Sequence, residues 1–274
     1  MMSHGSNLED FLRSIEDRIR RELRLRCETY TPDFRMPEVF NVLTALLARQ
    51  ATLAIELASA PRLWNQHSAS LFLRAMADVH ITLAWILLDA KTRARQYIEH
   101  GLGQAVLELE HRKKQMESAD DGSQADLEQI IESQRSWIDV QKWNFLVEVN
   151  VGAWSGKTTR EMAEQAQPLN FYNHVYTPFS QCAHSTWYHV GRYNSGPSES
   201  PYTRLLWMPQ IAEFESDIWN LRLAAKYLDK SFDAFDEKAL ERPASSSIQK
   251  LISDEIETRF GPSSENQDGE FGPD

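Results

Sequence analysis

The sequence predicts an all-α fold, arranged as one bundle of many helices. Nearly every periodic segment repeats its apolar residues at helical spacing, and no segment shows a convincing strand alternation. With 42% hydrophobic and 25% charged residues, the chain has the composition of a soluble globular protein. Its 274 residues suffice for one large domain or two small ones, and no internal repeat or clean domain boundary divides them.

Prolines separate the first three predicted helices. An apolar stripe predicts a first helix over residues 7–28, and a stretch containing proline then ends it. The second helix should span Pro37–Ser59, because proline is tolerated in the first turn of a helix. Pro61 divides it from a third helix over residues 62–90, which is apolar on opposite faces and therefore belongs at the centre of the bundle.

Two long polar helices follow, and they predict a helical hairpin that projects from the bundle. The fourth helix should cover residues 92–116 and the fifth residues 124–147, with a solvated turn at residues 118–123 between them. A short helix should then begin after Thr158, whose hydroxyl is a good N-cap ahead of acidic residues, and Pro168 should end it.

The rest of the chain predicts two further helices and a tail. A helix rich in aromatic residues and histidine should span residues 171–193, and a late amphipathic helix residues 211–228, with a loop at 194–201. The chain ends in an acidic stretch rich in glycine and proline, which cannot bury enough apolar area to fold. We therefore expect one all-helical domain over residues 1–260 and a disordered acidic tail over residues 261–274.

The third helix carries charged residues in an apolar setting. Arg74 and Asp78 are four residues apart, about 40° around a helix, so they should form an ion pair inside the domain. The pair either fixes the packing without chemistry or leaves Arg74 facing a polar cavity that holds an anion. His80 lies about 120° from Arg74 around the helix and is either a hydrogen-bonded core residue or a catalytic base.

The aromatic helix carries a second set of polar residues. Ser180 and His184 are four residues apart and share one face, with Tyr172 and Tyr176 on adjoining turns. Polar groups need partners once they are buried, and the charged pair of the third helix is the simplest partner. We therefore expect one buried polar cluster from both helices, with His184 in direct or one-water reach of that pair.

Motifs for metals and common cofactors are missing from the sequence. Three histidines lie within sixteen residues, at His174, His184 and His189, but they lack HExxH spacing and have no acidic residue among them. The patterns GxSxG, GxGxxG and CxxC and the Walker loop do not occur either. We expect neither a metal nor a cofactor.

Charge and cysteine content bear on the partners and the compartment. The formal net charge of −11 does not favour nucleic acid, although a local basic patch can still bind it. The two cysteines lie far apart in the sequence and do not have the spacing of a disulfide framework. We therefore expect reduced thiols, as in a cytosolic protein. The longest apolar segment carries three ionisable residues, which argues against a membrane span. We expect a cytoplasmic protein that does not bind membranes.

Several of these residues, taken in order, resemble a known family. They are the helix with Arg74 and Asp78, then Trp154, Thr159-Arg160-Glu161, and the block Tyr172-(x3)-Tyr176-(x3)-Ser180-(x3)-His184. This order resembles the bacterial family catalogued as domain of unknown function 5677, over roughly residues 39–193. The resemblance implies an all-helical bundle similar in outline to HEPN-type domains. Many of those are metal-independent ribonucleases of toxin and phage-defence systems with an Arg-x4-6-His motif, and Arg74-(x5)-His80 fits that spacing.

Two functional hypotheses follow. In the first, the protein is a HEPN-like ribonuclease or related defence effector: His80 or His184 is the general base, and Arg74 stabilises charge on the phosphorane. Asp78, Tyr172, Tyr176 and Ser180 then bind the RNA or support the catalytic groups. In the second, the protein is a non-catalytic helical module that binds a partner protein or a small anionic ligand, and a homodimer is a further option. A catalytic cluster must open to solvent, whereas a structural cluster will be sealed.

Overall fold

A computed structural model describes residues 3–145, 155–203, 205–238 and 246–260, and it confirms the all-α fold. Its longer helices are α1 (Ser3–Thr29), α2 (Pro37–Ser59), α3 (Ser68–Leu87), α4 (Ala90–Glu117) and α5 (Asp121–Phe145). The shorter helices that follow are α6 (Thr159–Gln165), α7 (Leu169–Phe171), α8 (Thr177–Ala183) and α9 (Trp187–Tyr193). Two strands, β1 (Ser195–Pro197) and β2 (Trp207–Pro209), precede α10 (Trp219–Asp236) and α11 (Ile248–Phe260).

Helices α2, α3 and α10 form the centre of the bundle and pack against one another, while α1 packs on α2 and α11 packs on α10 and α1. The predicted central position of the third helix is confirmed, because Leu73 and Met76 on one side and Ile81 and Trp85 on another are all buried. The helix begins later than predicted, since the side chain of Asn65 accepts hydrogen bonds from the backbone just before and at its first residue.

Helices α2 and α3 are long and apolar enough to cross a membrane, judged by length and composition alone. Both are packed inside the bundle, where 56% of the apolar window of α2 and 50% of that of α3 is buried. Core helices of soluble proteins have the same character, so this feature is weak evidence for a membrane span.

The predicted helical hairpin is formed by α4 and α5, which pack against each other beside the main bundle. Asp89 caps the start of α4 by accepting a hydrogen bond from the backbone N–H of Thr92. A small apolar cluster of Leu109, Ile131 and Ile138 is separate from the main core and holds the two helices together. The hairpin therefore has a small core of its own, as expected for two helices with few apolar residues.

The predicted continuous helix over residues 171–193 is wrong in two places. A π-helical turn, Tyr172–Tyr176, joins α7 to α8, and the N–H of Thr177 bonds to the carbonyl of Tyr172 across it. Pro178, in the first turn of α8, has no N–H for the hydrogen bond that a regular helix would make there. The wider π-helical turn before it accommodates the missing bond. The chain turns again between α8 and α9, where Ser185 has a φ of 47°.

The predicted helix over residues 211–228 is also misplaced. The chain first forms an antiparallel pair, in which Ser195, Gly196 and Pro197 of β1 lie opposite Pro209, Met208 and Trp207 of β2. It then runs without regular structure to α10, which begins at Trp219, where the carboxylate of Asp217 accepts its N–H. Helix α11 was not predicted. The predicted disordered tail, residues 261–274, lies outside the described residues, so the proposed domain limits stay a prediction.

Candidate functional site

The predicted meeting of Arg74 with the aromatic helix is confirmed. Arg74 forms an ion pair with Asp78 through Nη1, and its Nε donates a 2.7 Å hydrogen bond to Ser180 Oγ. The guanidinium carbon lies 3.3 Å from the centroid of the Tyr176 ring, a cation–π contact. We call Arg74, Asp78, Tyr172, Tyr176, Ser180 and His184 the Arg74 cluster.

The π-helical turn positions the aromatic half of the Arg74 cluster. The rings of Tyr172 and Tyr176 stack with centroids 4.6 Å apart, which supports the ring that Arg74 covers. Ser180 Oγ donates to the carbonyl of Tyr176 at 2.8 Å, so its lone pairs face Arg74 and accept the guanidinium N–H. π-Helical turns often occur at functional sites, and here the turn aligns both tyrosines with one arginine.

The Arg74 cluster is less buried than predicted. The Arg74 side chain is 11% exposed, but that of Asp78 is 46% exposed, and His184 lies at the surface. Desolvation raises the pKa of Asp78, and the charges of Arg74 and His184 oppose that rise. His184 therefore interacts electrostatically with Asp78, although no hydrogen bond joins the two side chains in the described structure. The cluster that was expected to be buried is therefore partly open to solvent, on the side of Asp78 and His184.

His80 does not belong to the Arg74 cluster. It lies on another side of α3, buried, with Nδ1 3.2 Å from Ser231 Oγ and its ring against Phe171. Desolvation by burial, assisted by the nearby charge of Lys230, lowers its pKa from 6.5 to about 4. His80 is thus a neutral core residue with a hydrogen-bond partner, and its burial contradicts the predicted role as catalytic base. Of the predicted catalytic residues, Arg74 and His184 remain together.

A second charged network, which the sequence analysis missed, ties α1 to α10. Arg26 is buried between Glu22 and Asp236, with Nη distances of 3.1 Å and 2.8 Å to their carboxylates. Its guanidinium carbon lies 4.0 Å from the ring centroid of Phe232. The sequence contains a pattern that could have predicted this network, because Glu22 and Arg26 continue the helical spacing of the buried stripe that contains Ile19. The network joins distant parts of the bundle and lies away from solvent.

A third cluster brings together residues that can bind a metal. His67, Cys182 and His189 come from three elements, and their ligand atoms lie within 4.8 Å of one another. Burial lowers the pKa of both histidines and raises that of the Cys182 thiol. The sequence predicts no metal because the histidines that lie close together in it lack the spacing of a metal motif, whereas His67 joins the group from more than a hundred residues away.

A large apolar surface is the remaining feature. Residues 195–217, which we call the arm, contain β1, β2 and the extended chain that leads to α10. The arm exposes several apolar side chains: Tyr202 (97%), Leu205 (89%), Leu206 (57%), Trp207 (61%), Met208 (47%) and Ile211 (93%). Trp187 and Tyr188 of α9, which packs beside β1, are exposed as well. Sequence periodicity assigned part of the arm to a helix and could not reveal this surface.

Comparison with known proteins gives one match. Residues 40–201 match the family described as a family of unknown function (DUF5677), close to the span over which the sequence resembles it. The matched residues include the whole Arg74 cluster, the three possible metal ligands and the first strand of the arm. No curated protein and no solved structure matches the chain.

Proposed function

The chain belongs to the family of unknown function DUF5677, and we propose that it is a non-catalytic helical module whose arm binds a partner protein. The observation that carries the proposal is the row of exposed apolar side chains on the arm, of which Leu205 and Ile211 are 89% and 93% exposed. Monomeric soluble proteins seldom leave such residues together in solvent, and a larger exposed apolar patch commonly marks an interaction surface.

The base of the arm is held to the bundle while its tip extends into solvent. The N–H of Gln210 bonds to the carbonyl of Asn194 at 3.0 Å, and the N–H of Asp217 bonds to that of Trp64 at 2.7 Å. Phe214 packs on the ring of His67, with centroids 4.5 Å apart. An arm that is already ordered loses less conformational entropy when it binds, so more of the apolar contact energy contributes to affinity.

Charge indicates what kind of partner fits the arm. Residues 195–217 contain four acidic residues and one arginine, and the whole chain has a formal net charge of −11. A second copy would therefore bring like charges together. A partner segment with apolar side chains flanked by lysine or arginine would bury the apolar row and complement the acidic residues. We accordingly propose a basic, apolar segment of another protein as the occupant.

The Arg74 cluster is partly open to solvent, as a catalytic cluster must be, but the contacts of Arg74 favour a structural role. Asp78 neutralises the guanidinium of Arg74, which is also tied to Ser180 and stacked on Tyr176. An arginine that is fixed in this way has less charge to offer a phosphate than an unpaired one. The cluster joins α3 to α8, and α8 leads into α9 and the arm, so it helps to hold the binding surface in place.

Photo-crosslinking followed by calorimetry tests the proposal. A photo-reactive amino acid at Leu206 should capture a partner in cells, and the purified partner should bind the full chain in titration. We expect Leu205→Ser with Trp207→Ser to weaken binding at least about tenfold, because truncating interface anchors typically costs more than 1–2 kcal/mol. Phe34→Ser is the matched control, since Phe34 is 88% exposed on a different turn and should not matter.

Two outcomes would overturn the binding proposal. One is a partner affinity that the arm variant leaves unchanged while circular dichroism shows both proteins folded. The other is crosslinking at Leu206 to a second copy alone, with light scattering showing a dimer that the arm variant converts to a monomer. Rising salt should also weaken binding to the partner, because screening reduces the attraction between the acidic arm and a basic segment.

We also propose a cytoplasmic location, consistent with the free thiols of Cys27 and Cys182.

Ribonuclease activity is a second candidate, favoured by the surface position of His184 beside the Arg74–Asp78 pair. In that function His184 would remove the proton of a ribose 2′-hydroxyl, and Arg74 would stabilise negative charge on the phosphorane. Purified full-length protein should then cleave RNA, and His184→Ala should abolish cleavage without loss of helical signal. His174→Ala is the matched control, because His174 is an exposed histidine of the same aromatic segment. Cleavage that survives in His184→Ala would exclude this site.

A further inference from the structure

The third cluster, which contains the three possible metal ligands beside α8, points to a metal site independently of the proposed function. His67 precedes α3, Cys182 lies in the last turn of α8, and His189 lies in α9. The sharp turn at Ser185, with its φ of 47°, reverses the chain between α8 and α9 and brings His189 back over His67. Three elements are thus needed to assemble three good ligands for a soft metal ion.

The distances between these side chains are close to those of a metal site. His189 Nε2 lies 2.8 Å from His67 Nδ1. The Cys182 thiol lies next to the same residue and donates a hydrogen bond to the backbone carbonyl of His67. Zinc–nitrogen and zinc–sulfur bond lengths in a tetrahedral site imply about 3.3 Å between nitrogens and about 3.6 Å between nitrogen and sulfur. The ligand atoms here lie within 4.8 Å of one another, so changes of about 1 Å, within reach of side-chain rotation, would bring them into that arrangement.

The surroundings of the cluster also favour a bound ion. The rings of Tyr193 and Phe214 pack edge-on against His67 and limit its orientation. A cavity of about 410 Å³, lined by all three ligands and by Asn194, leaves room for a water molecule as a fourth ligand. No carboxylate is among the three ligands, so the set suits zinc rather than calcium or magnesium.

We propose that His67, Cys182 and His189 form a zinc site completed by a water molecule. On binding, Cys182 loses its thiol proton to solvent. The proton of the hydrogen bond between His67 and His189 moves to a ring nitrogen that does not bind the ion. The ion then bonds to one sulfur and two nitrogens, with no change of oxidation state. It would cross-link the start of α3 to α8 and α9, next to the point where Phe214 anchors the arm.

Cobalt titration of the full chain, after removal of metals with a chelator, tests the site. We expect one Co²⁺ per chain, visible bands of tetrahedral intensity, and a near-ultraviolet charge-transfer band from a cobalt–thiolate bond. Zinc should displace the cobalt and raise the melting temperature. Cys182→Ser should lose the charge-transfer band, and His189→Ala should lose the tetrahedral spectrum. Cys27→Ser is the matched control, because Cys27 is the other cysteine and lies in α1.

The outcomes separate this inference from the proposed function. Absence of a cobalt spectrum from folded parent protein, or a spectrum that Cys182→Ser leaves unchanged, would overturn the zinc site. If Cys182→Ser failed to fold, the chelator-treated parent would still decide the matter, since it contains every proposed ligand. Neither result depends on whether a partner binds the arm, and arm variants should keep the cobalt spectrum.

Discussion

His80→Gln should remove an identifiable part of the acid sensitivity of the fold. In the folded protein, burial lowers the pKa of His80 from 6.5 to about 4. In the unfolded chain the imidazole is hydrated and titrates near its ordinary value. As the pH falls below that value, the unfolded state binds a proton that the folded state refuses, so the free energy of unfolding decreases. This stabilisation is present above pH 6.5 and is lost as the pH falls toward 4.

The size of the effect follows from the difference between the two pKa values. The full difference corresponds to about 3 kcal/mol, since each pKa unit is equivalent to about 1.4 kcal/mol. Between pH 7 and pH 5 the expected loss from His80 alone is about 2 kcal/mol, because most of the unfolded molecules but few of the folded ones become protonated there. A loss of that size is a substantial fraction of the stability of a typical domain.

Urea unfolding followed by circular dichroism at pH 7 and at pH 5 measures this loss. Glutamine stays neutral at both values and keeps a polar group near Ser231, so the variant should lose about 2 kcal/mol less than the parent between them. Contributions of other titrating groups, including His67 and His189, occur in both proteins and cancel in the comparison. His111→Gln is the matched control, because His111 is exposed on α4 and its replacement should leave the parental difference unchanged.

Equal losses of stability in the parent and in His80→Gln between pH 7 and pH 5 would contradict this prediction. That result would mean that His80 gains a proton in the folded protein without penalty, as a solvent-accessible catalytic histidine does. It would restore His80 as a candidate base and contradict its position against Phe171 and Ser231.

Three further stability predictions follow from the structure. Asp236→Ala should cost about 3–5 kcal/mol because it leaves Arg26 buried with one carboxylate fewer, whereas Asp78→Ala, in a half-exposed pair, should cost only about 1–2 kcal/mol. Equal losses in the two variants, measured by urea unfolding, would contradict the different burial of the two pairs. Leu47→Ala should cost about 2–5 kcal/mol by leaving a cavity in the core, and a loss below 1 kcal/mol would contradict its complete burial. Thr158→Ala should cost about 1 kcal/mol by removing the capping box of α6, and melting curves identical to the parent's would argue that the cap contributes nothing.

The Arg74 cluster could be predicted because most of its geometry is local. A helix places Arg74 beside Asp78, and Ser180 on the same side as His184, whatever the rest of the fold does. The remaining step, contact between the two helices, follows from the need of buried polar groups for partners. The same local geometry separated His80 from Arg74 by about 120°, and the structure bears this out.

Other features depend on contacts between residues that are distant in sequence. His67 meets Cys182 and His189 because the turn at Ser185 folds α9 back over the start of α3, and no spacing in the sequence encodes that contact. The sequence predicts a helix for residues 211–217 of the arm, whose apolar residues occur at helical intervals, and it predicts no element for residues 202–210. In the structure, residues 207–209 of the arm pair with residues 195–197 as antiparallel strands.

The helical class, the bounds of α2 and the pairing of Arg74 with Asp78 could be predicted without a structure, since each depends on residues within a few turns of one another. The exposure of these side chains, in contrast, depends on the packing of the whole fold. That packing sealed His80 in the core, left Asp78 half open, and turned the apolar side chains of the arm into solvent. Periodicity shows which residues share a face, but the exposure of that face depends on which distant segment packs against it.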